Sequence, residues 1–209
     1  MLDSVLGNIR HIDMPRPPDR DETGGAPTVS SLPLWPEDAA IELFHQQPTM
    51  GAIRFSDTAI YIEQLRAEIE TQALNRERTE PIAGGAFKLH DVDQWTSPAA
   101  SLVTARAHKL VTSMLNSERL NLQAASAIVV PRGRALPARA VNGSGASAVI
   151  LLAGSGLYLQ HERIGGLTVQ APHEAPGLML AHPSTMRPCV RENIALRPVV
   201  IVVWDYGLE

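Results

Sequence analysis

Residues 148–160 read AVILLAGSGLYLQ: two short apolar runs, Ala148–Leu152 and Leu157–Gln160, divided by Gly154-Ser155-Gly156. Each run is too short for a packed helix and is bounded by turn-forming residues, which is how a buried strand looks in sequence. The same rhythm continues in both directions. Ala125–Val130 lies upstream, and Leu167–Gln170, Leu178–His182 and Val199–Trp204 lie downstream. Asn142–Gly145 (NGSG), Gly165-Gly166 and Pro176-Gly177 punctuate them, and all are strong turn signals. Leu178–His182 and Val199–Trp204 are almost unbroken apolar runs, as expected of strands covered on both faces. Short strands at this spacing predict a β-sandwich or jelly roll, architectures that hold ligands in their mouths.

Two helices are expected ahead of the strands. Over about 56–73, Ile62, Leu65 and Ile69 share one face, with Glu63, Arg66, Glu68 and Glu70 outside it. This is the helical period, and Ser56 or Asp57 can cap it. The second helix, at about 97–116, opens on Ser97-Pro98, a capping serine and then a proline whose missing N–H costs nothing there. Val103, Ala107, Leu110 and Met114 follow at three- and four-residue steps. Both helices are expected to pack on the outside of the sheet. Residues 1–33 carry Pro15, Pro17, Pro18, Pro27, Pro33 and Gly24-Gly25, the composition of a flexible or polyproline leader. Residues 34–209 then form a single domain, opening on a strand or turn around Leu34, Trp35, Ile41, Leu43 and Phe44. Gly84-Gly85 predicts a turn before Phe87–Leu89.

The chain of 209 residues is 44% hydrophobic and 19% charged, enough apolar content for a sizeable core. A net charge of −4 gives no chain-wide reason to expect nucleic acid or a membrane as partner. The single cysteine, Cys189, forms no internal disulfide and no thiolate metal site by itself. It fits a reducing compartment. The apolar runs fall far short of a membrane span and no secretory segment is read, so the expected setting is the cytoplasm. There is no G-x-S-x-G elbow, no phosphate-binding P-loop and no dinucleotide fingerprint.

From about residue 85 onward, the order of features resembles the double-stranded β-helix of the 2-oxoglutarate/Fe(II) oxygenases, most of all the prolyl-hydroxylase-like and phage-type branches. The pieces are Ser155-Gly156-Leu157-Tyr158-Leu159, Gly165-Gly166-Leu167-Thr168-Val169, Pro172, Pro176-Gly177-Leu178-Met179-Leu180-Ala181-His182-Pro183-Ser184, and Leu196-Arg197-Pro198-Val199-Val200-Ile201-Val202. Trp95 and the second helix sit where the family has a helix before the barrel. A cupin jelly roll is the neighbouring resemblance, through the spacing of Gly177, Pro183 and Asn193. The oxygenase resemblance implies Fe(II) and 2-oxoglutarate as cofactors, with Arg197 at the position that binds the 2-oxoglutarate carboxylate.

The metal ligands implied by that resemblance have no counterpart in the pattern. Ferrous iron in this family needs two histidines and one carboxylate. The first two come from an H-x-D or H-x-H ahead of the Ser-Gly-x-Tyr element, yet residues 119–160 contain no His, Asp, Glu or Cys. The distal histidine falls near Arg187, Pro188 and Cys189.

Other candidate sites follow from residue chemistry. His173, Glu174 and His182 form a metal-competent set, although His182 reads equally as a packed residue at a strand end. His90, Asp91 and Asp93 read as a solvated loop, His161-Glu162 as an exposed hairpin tip, and Cys189 as a buried structural thiol. Arginines are the more suggestive set, because guanidinium groups bind carboxylates and phosphates bidentately. Arg119, Arg132, Arg134 and Arg139 stand in the acid-free stretch, and Arg187, Arg191 and Arg197 follow. Convergence of Arg139, Arg187 and Arg197 with Tyr158 at the barrel mouth would bind a small anion such as a dicarboxylate.

Two functions are therefore expected as alternatives. One is a divergent jelly-roll protein without the standard iron site that binds a small anion or a partner protein. The other is an active 2-oxoglutarate-dependent hydroxylase with unrecognised ligands. A homo-oligomer joined through the outer sheet face or the leader is a third reading.

Overall fold

A computed structural model describes residues 27–44, 49–117, 119–138, 145–161, 168–170 and 176–208. In chain order the elements are β1 (Glu42–Phe44), β2 (Met50–Arg54), α1 (Thr58–Ala73), β3 (Thr79–Pro81), β4 (Phe87–His90), α2 (Pro98–Leu115), β5 (Leu120–Val130), β6 (Gly145–Ala153), β7 (Leu157–His161), β8 (Thr168–Gln170), β9 (Leu178–Pro183), β10 (Met186–Val190) and β11 (Val199–Leu208).

The strands form two antiparallel sheets. The larger has the order β1-β2-β9-β6-β11-β5-β4-β3 and the smaller β10-β7-β8. Leu136 bridges Val190 and so runs along the other edge of β10. Alternation along each strand separates two cores. Val149, Leu151, Leu180, Val199 and Ile201 meet Leu157, Leu159, Met186 and Val190 of the smaller sheet. On the opposite face, Ala148, Ile150, Met179, Val202 and Trp204 meet Leu65, Ile69, Val103 and Leu110 of the helices. β6, β9 and β11 are thus apolar at nearly every position because both of their faces are covered. This is the expected double-stranded β-helix with helices outside.

Local chemistry sets the helix ends. Ser97 Oγ accepts from the Ala100 amide at 3.4 Å, Pro98 is the first helical residue, and Asn116 ends α2 in the left-handed region at φ 49°. α1 begins at Thr58, whose hydroxyl donates to the Phe55 carbonyl. The loop entering β9 presses on this point. Gly177 has φ +94°, and a Cβ there would collide with the Thr58 methyl.

Arg106 of α2 ties the helical side together. It is fully buried, donates to both Asp57 carboxylate oxygens at 2.7 and 2.6 Å, and reaches the carbonyls of Leu34 and Pro33 at 3.0 and 2.8 Å. Its guanidinium lies 4.2 Å from the Phe55 ring centroid. Burial works against its charge, but Asp57 and Tyr61 together outweigh this and the pKa stays raised. Val29 is buried in the same core. Of residues 27–33, which fall within the expected leader, Leu32 also packs against this core and the others, Val29 apart, are exposed. No described helix is long and apolar enough to cross a membrane.

Candidate functional site

The core between the sheets becomes polar at one end. The inward side of β11 runs Val199, Ile201, Val203 and then Asp205. Asp205 pairs with Ser147 of β6, Ser147 with His182 of β9, and Val203 with Ser126 of β5. Lys88 of β4 and Arg187 of β10 complete the corner. Together with Ser126, Ser147 and Asp205 they line a cavity of about 80 Å³. At roughly 10–15 Å³ per water, this is the space of a few waters or a small carboxylate.

Charge is organised within this corner. Ser147 Oγ donates to Asp205 Oδ1 at 2.6 Å, which fixes the carboxylate. Arg187 is only 3% exposed. Lys88, Arg187 and Asp205 are the charged residues of the described lining. His182 lies beside the corner, fully buried. Its Nδ1 is 3.1 Å from the Pro183 carbonyl, so that nitrogen carries the proton. Nε2 is then a lone pair with no hydrogen-bond partner among the described residues. Burial lowers the His182 pKa from 6.5 to about 4, and Arg187 adds to this, while the Pro183 carbonyl and Asp205 oppose it. The imidazole is neutral at neutral pH.

The fold has known counterparts. AviO1 from Streptomyces viridochromogenes Tue57 superposes with a TM-score of 0.58 at 14% identity, over 76% of this chain and 89% of its own. The non-heme α-ketoglutarate-dependent epimerase SnoN from nogalamycin biosynthesis gives 0.58 at 13%, over 74% and 76%. A prolyl-4-hydroxylase from Pseudomonas putida gives 0.53 at 14%, over 76% and 92%. The chain has the 2-oxoglutarate/Fe(II) oxygenase fold. This likeness is one of fold, because no protein-family model matches the chain and no curated protein matches it in sequence.

The iron of that fold would need two histidines and one carboxylate in this barrel. The segment joining β5 to β6, which includes the Leu136 bridge, supplies no His, Asp, Glu or Cys anywhere between residues 119 and 160. β10 carries Arg187, Pro188 and Cys189 where the distal histidine is expected. Among the described residues, no three His, Cys, Asp or Glu side chains group closely enough to hold a metal. His182 is the one member of the His173, Glu174 and His182 set that is described; His173 and Glu174 lie outside the described residues.

The expected arginine cluster divides. Arg187 reaches the cavity. Arg197 is exposed in the loop before β11 and is absent from the cavity lining. Arg197 precedes β11 at its Val199 end, whereas Asp205 stands near the other end of that strand. Arg139 lies outside the described residues. Tyr158 stands on β7 opposite Cys189, with Arg191 5.9 Å from its ring centroid. Burial pushes the Cys189 thiol up to about 11, which agrees with a structural thiol. His90 binds Glu80 at 2.8 Å at the exposed end of β4. His161, expected at an exposed hairpin tip, ends β7 opposite Met186 and is half-buried; Glu162 lies outside the described residues.

Lys88, Ser126, Ser147 and Asp205 were not singled out in the sequence. A signal for Asp205 existed. It continues the odd-numbered, inward positions 199, 201 and 203, so its carboxylate had to face the core.

Proposed function

We propose that this protein is a divergent jelly roll of the oxygenase fold that lacks the standard iron site and binds a small anion in the corner between its sheets. The observation that carries this reading is Arg187. It is a nearly fully buried guanidinium lining a cavity, at the strand position where the resemblance expects the distal metal ligand. A fixed cation there supplies the charge that an anion needs, without a metal. Asp205 is held by Ser147, and Lys88 lines the same cavity as Arg187. The neutral His182 beside it adds no further charge. The volume favours short carboxylates over larger acids. The function is binding, and the proposed setting is the cytoplasm, supported by a single cysteine held as a buried thiol.

Thermal melts in EDTA with acetate, succinate, 2-oxoglutarate and phosphate test this. At least one carboxylate is expected to raise Tm without metal, and Arg187→Gln is expected to abolish the rise. Carboxylate stabilisation that persists in Arg187→Gln, or that requires Fe(II), would contradict it.

A further inference from the structure

The barrel end at the start of β11 carries an exposed apolar tip. The loop between β10 and β11 lifts Ile194 and Leu196 into solvent at 85% and 84% exposure. This exposure is built in. Asn193, only 5% exposed, donates from Nδ2 to the carbonyls of Val130 and Arg197 at 3.1 and 2.9 Å and accepts from the Ala195 amide at 3.0 Å. Its backbone is bonded on both sides to the loop after β5, Gly133 N to Asn193 O at 2.7 Å and Asn193 N to Arg134 O at 2.8 Å. Two aliphatic side chains are thus held outward on a braced tip.

Arginines surround that tip. Arg191 and Arg197 flank it in sequence, and Arg132 and Arg134 come from the bonded neighbouring loop; all four are exposed. Among the described residues none of the four is in an ion pair. Glu192 is the one carboxylate in these two loops. The whole chain is at −4, so this positive end is locally segregated, and the chain-wide charge conceals it.

We infer that this loop pair is a docking surface for an anionic phospholipid bilayer, with Ile194 and Leu196 entering the acyl boundary and the four arginines meeting the headgroups. A braced tip has little ordering cost to meet on docking. Apolar insertion and attraction to anionic headgroups reinforce each other at an interface, and neither suffices alone. A stable protein partner would need about 1,200 Å² or more of matched surface. Two side chains on a narrow tip offer far less, whereas a bilayer accepts them without a shaped socket. The inner leaflet of a cell membrane supplies such anionic headgroups.

Vesicle co-sedimentation of the full chain tests this, with phosphatidylcholine vesicles with and without phosphatidylglycerol. Binding is expected only with phosphatidylglycerol and is expected to weaken at higher salt. Ile194→Ser/Leu196→Ser and Arg191→Gln/Arg197→Gln are each expected to reduce it at least tenfold. Circular dichroism melts should match the parent, because the altered side chains are exposed. No binding to the anionic vesicles, or binding unmoved by both double variants, would overturn the inference. Tip-dependent dimerisation in sedimentation velocity without vesicle binding would assign the tip to a second copy and equally overturn it.

Discussion

His182 shows how one residue's burial becomes a property of the protein. Its imidazole is held neutral, with a folded pKa of about 4 against an ordinary 6.5. A group whose folded pKa is depressed leaves stability intact above the unfolded value. Below it the unfolded chain takes up the proton first, so stability falls as pH drops from about 6.5 to 4. Two and a half pH units correspond to about 3 kcal/mol. Urea unfolding at pH 7 and pH 4.5 should show this loss. In His182→Leu, which cannot titrate, the difference between the two pH values should shrink by up to that amount. An unchanged difference would mean that His182 is not protonated on unfolding. Arg187 contributes to the same effect, since its charge opposes a second cation beside it.

At the scale of elements, the Arg106–Asp57 pair joins α2 to the start of α1 and to the chain at Pro33 and Leu34. Removing one partner leaves an uncompensated charge inside the protein, which costs about 3–5 kcal/mol. Arg106→Met and Asp57→Leu should each lower the unfolding free energy from urea titration by about that much. The double variant, with neither charge buried, should regain a substantial part. Strict additivity of the two losses would show that the groups act independently. The pair was invisible in sequence because Asp57 and Arg106 are distant along the chain, and Asp57 read only as a helix cap. The elements themselves were more legible. β6, β9 and β11 announce themselves because both faces are apolar, and α2 announces both of its ends through Ser97-Pro98 and Asn116. β10 was missed because Arg187 and Pro188 break its apolar pattern; its pairing to β7 comes from tertiary context. β2, running Met50–Arg54, was missed because Gly51 and Ala52 dilute its strand character.

Over the whole molecule, fold and chemistry separate. The chain superposes on AviO1, SnoN and the Pseudomonas putida prolyl-4-hydroxylase at 13–14% identity, since a β-fold depends on alternation of apolar residues and not on ligands. The fold was readable for that reason. The corner site was only partly readable. Arg187 stood out through its place in the pattern. Ser126, Ser147 and Lys88 are single polar residues whose meeting depends on register between distant strands. Arg197 looked like Arg187's partner in sequence, yet it is exposed in the loop before β11 and does not line the cavity.

The most direct measurement is iron content together with turnover of 2-oxoglutarate in protein produced under iron-replete conditions and purified without chelator. The account predicts iron well below one per chain and no Fe(II)-dependent formation of succinate from 2-oxoglutarate. Stoichiometric iron with Fe(II)-dependent succinate formation would contradict it and would restore an oxygenase built on other ligands.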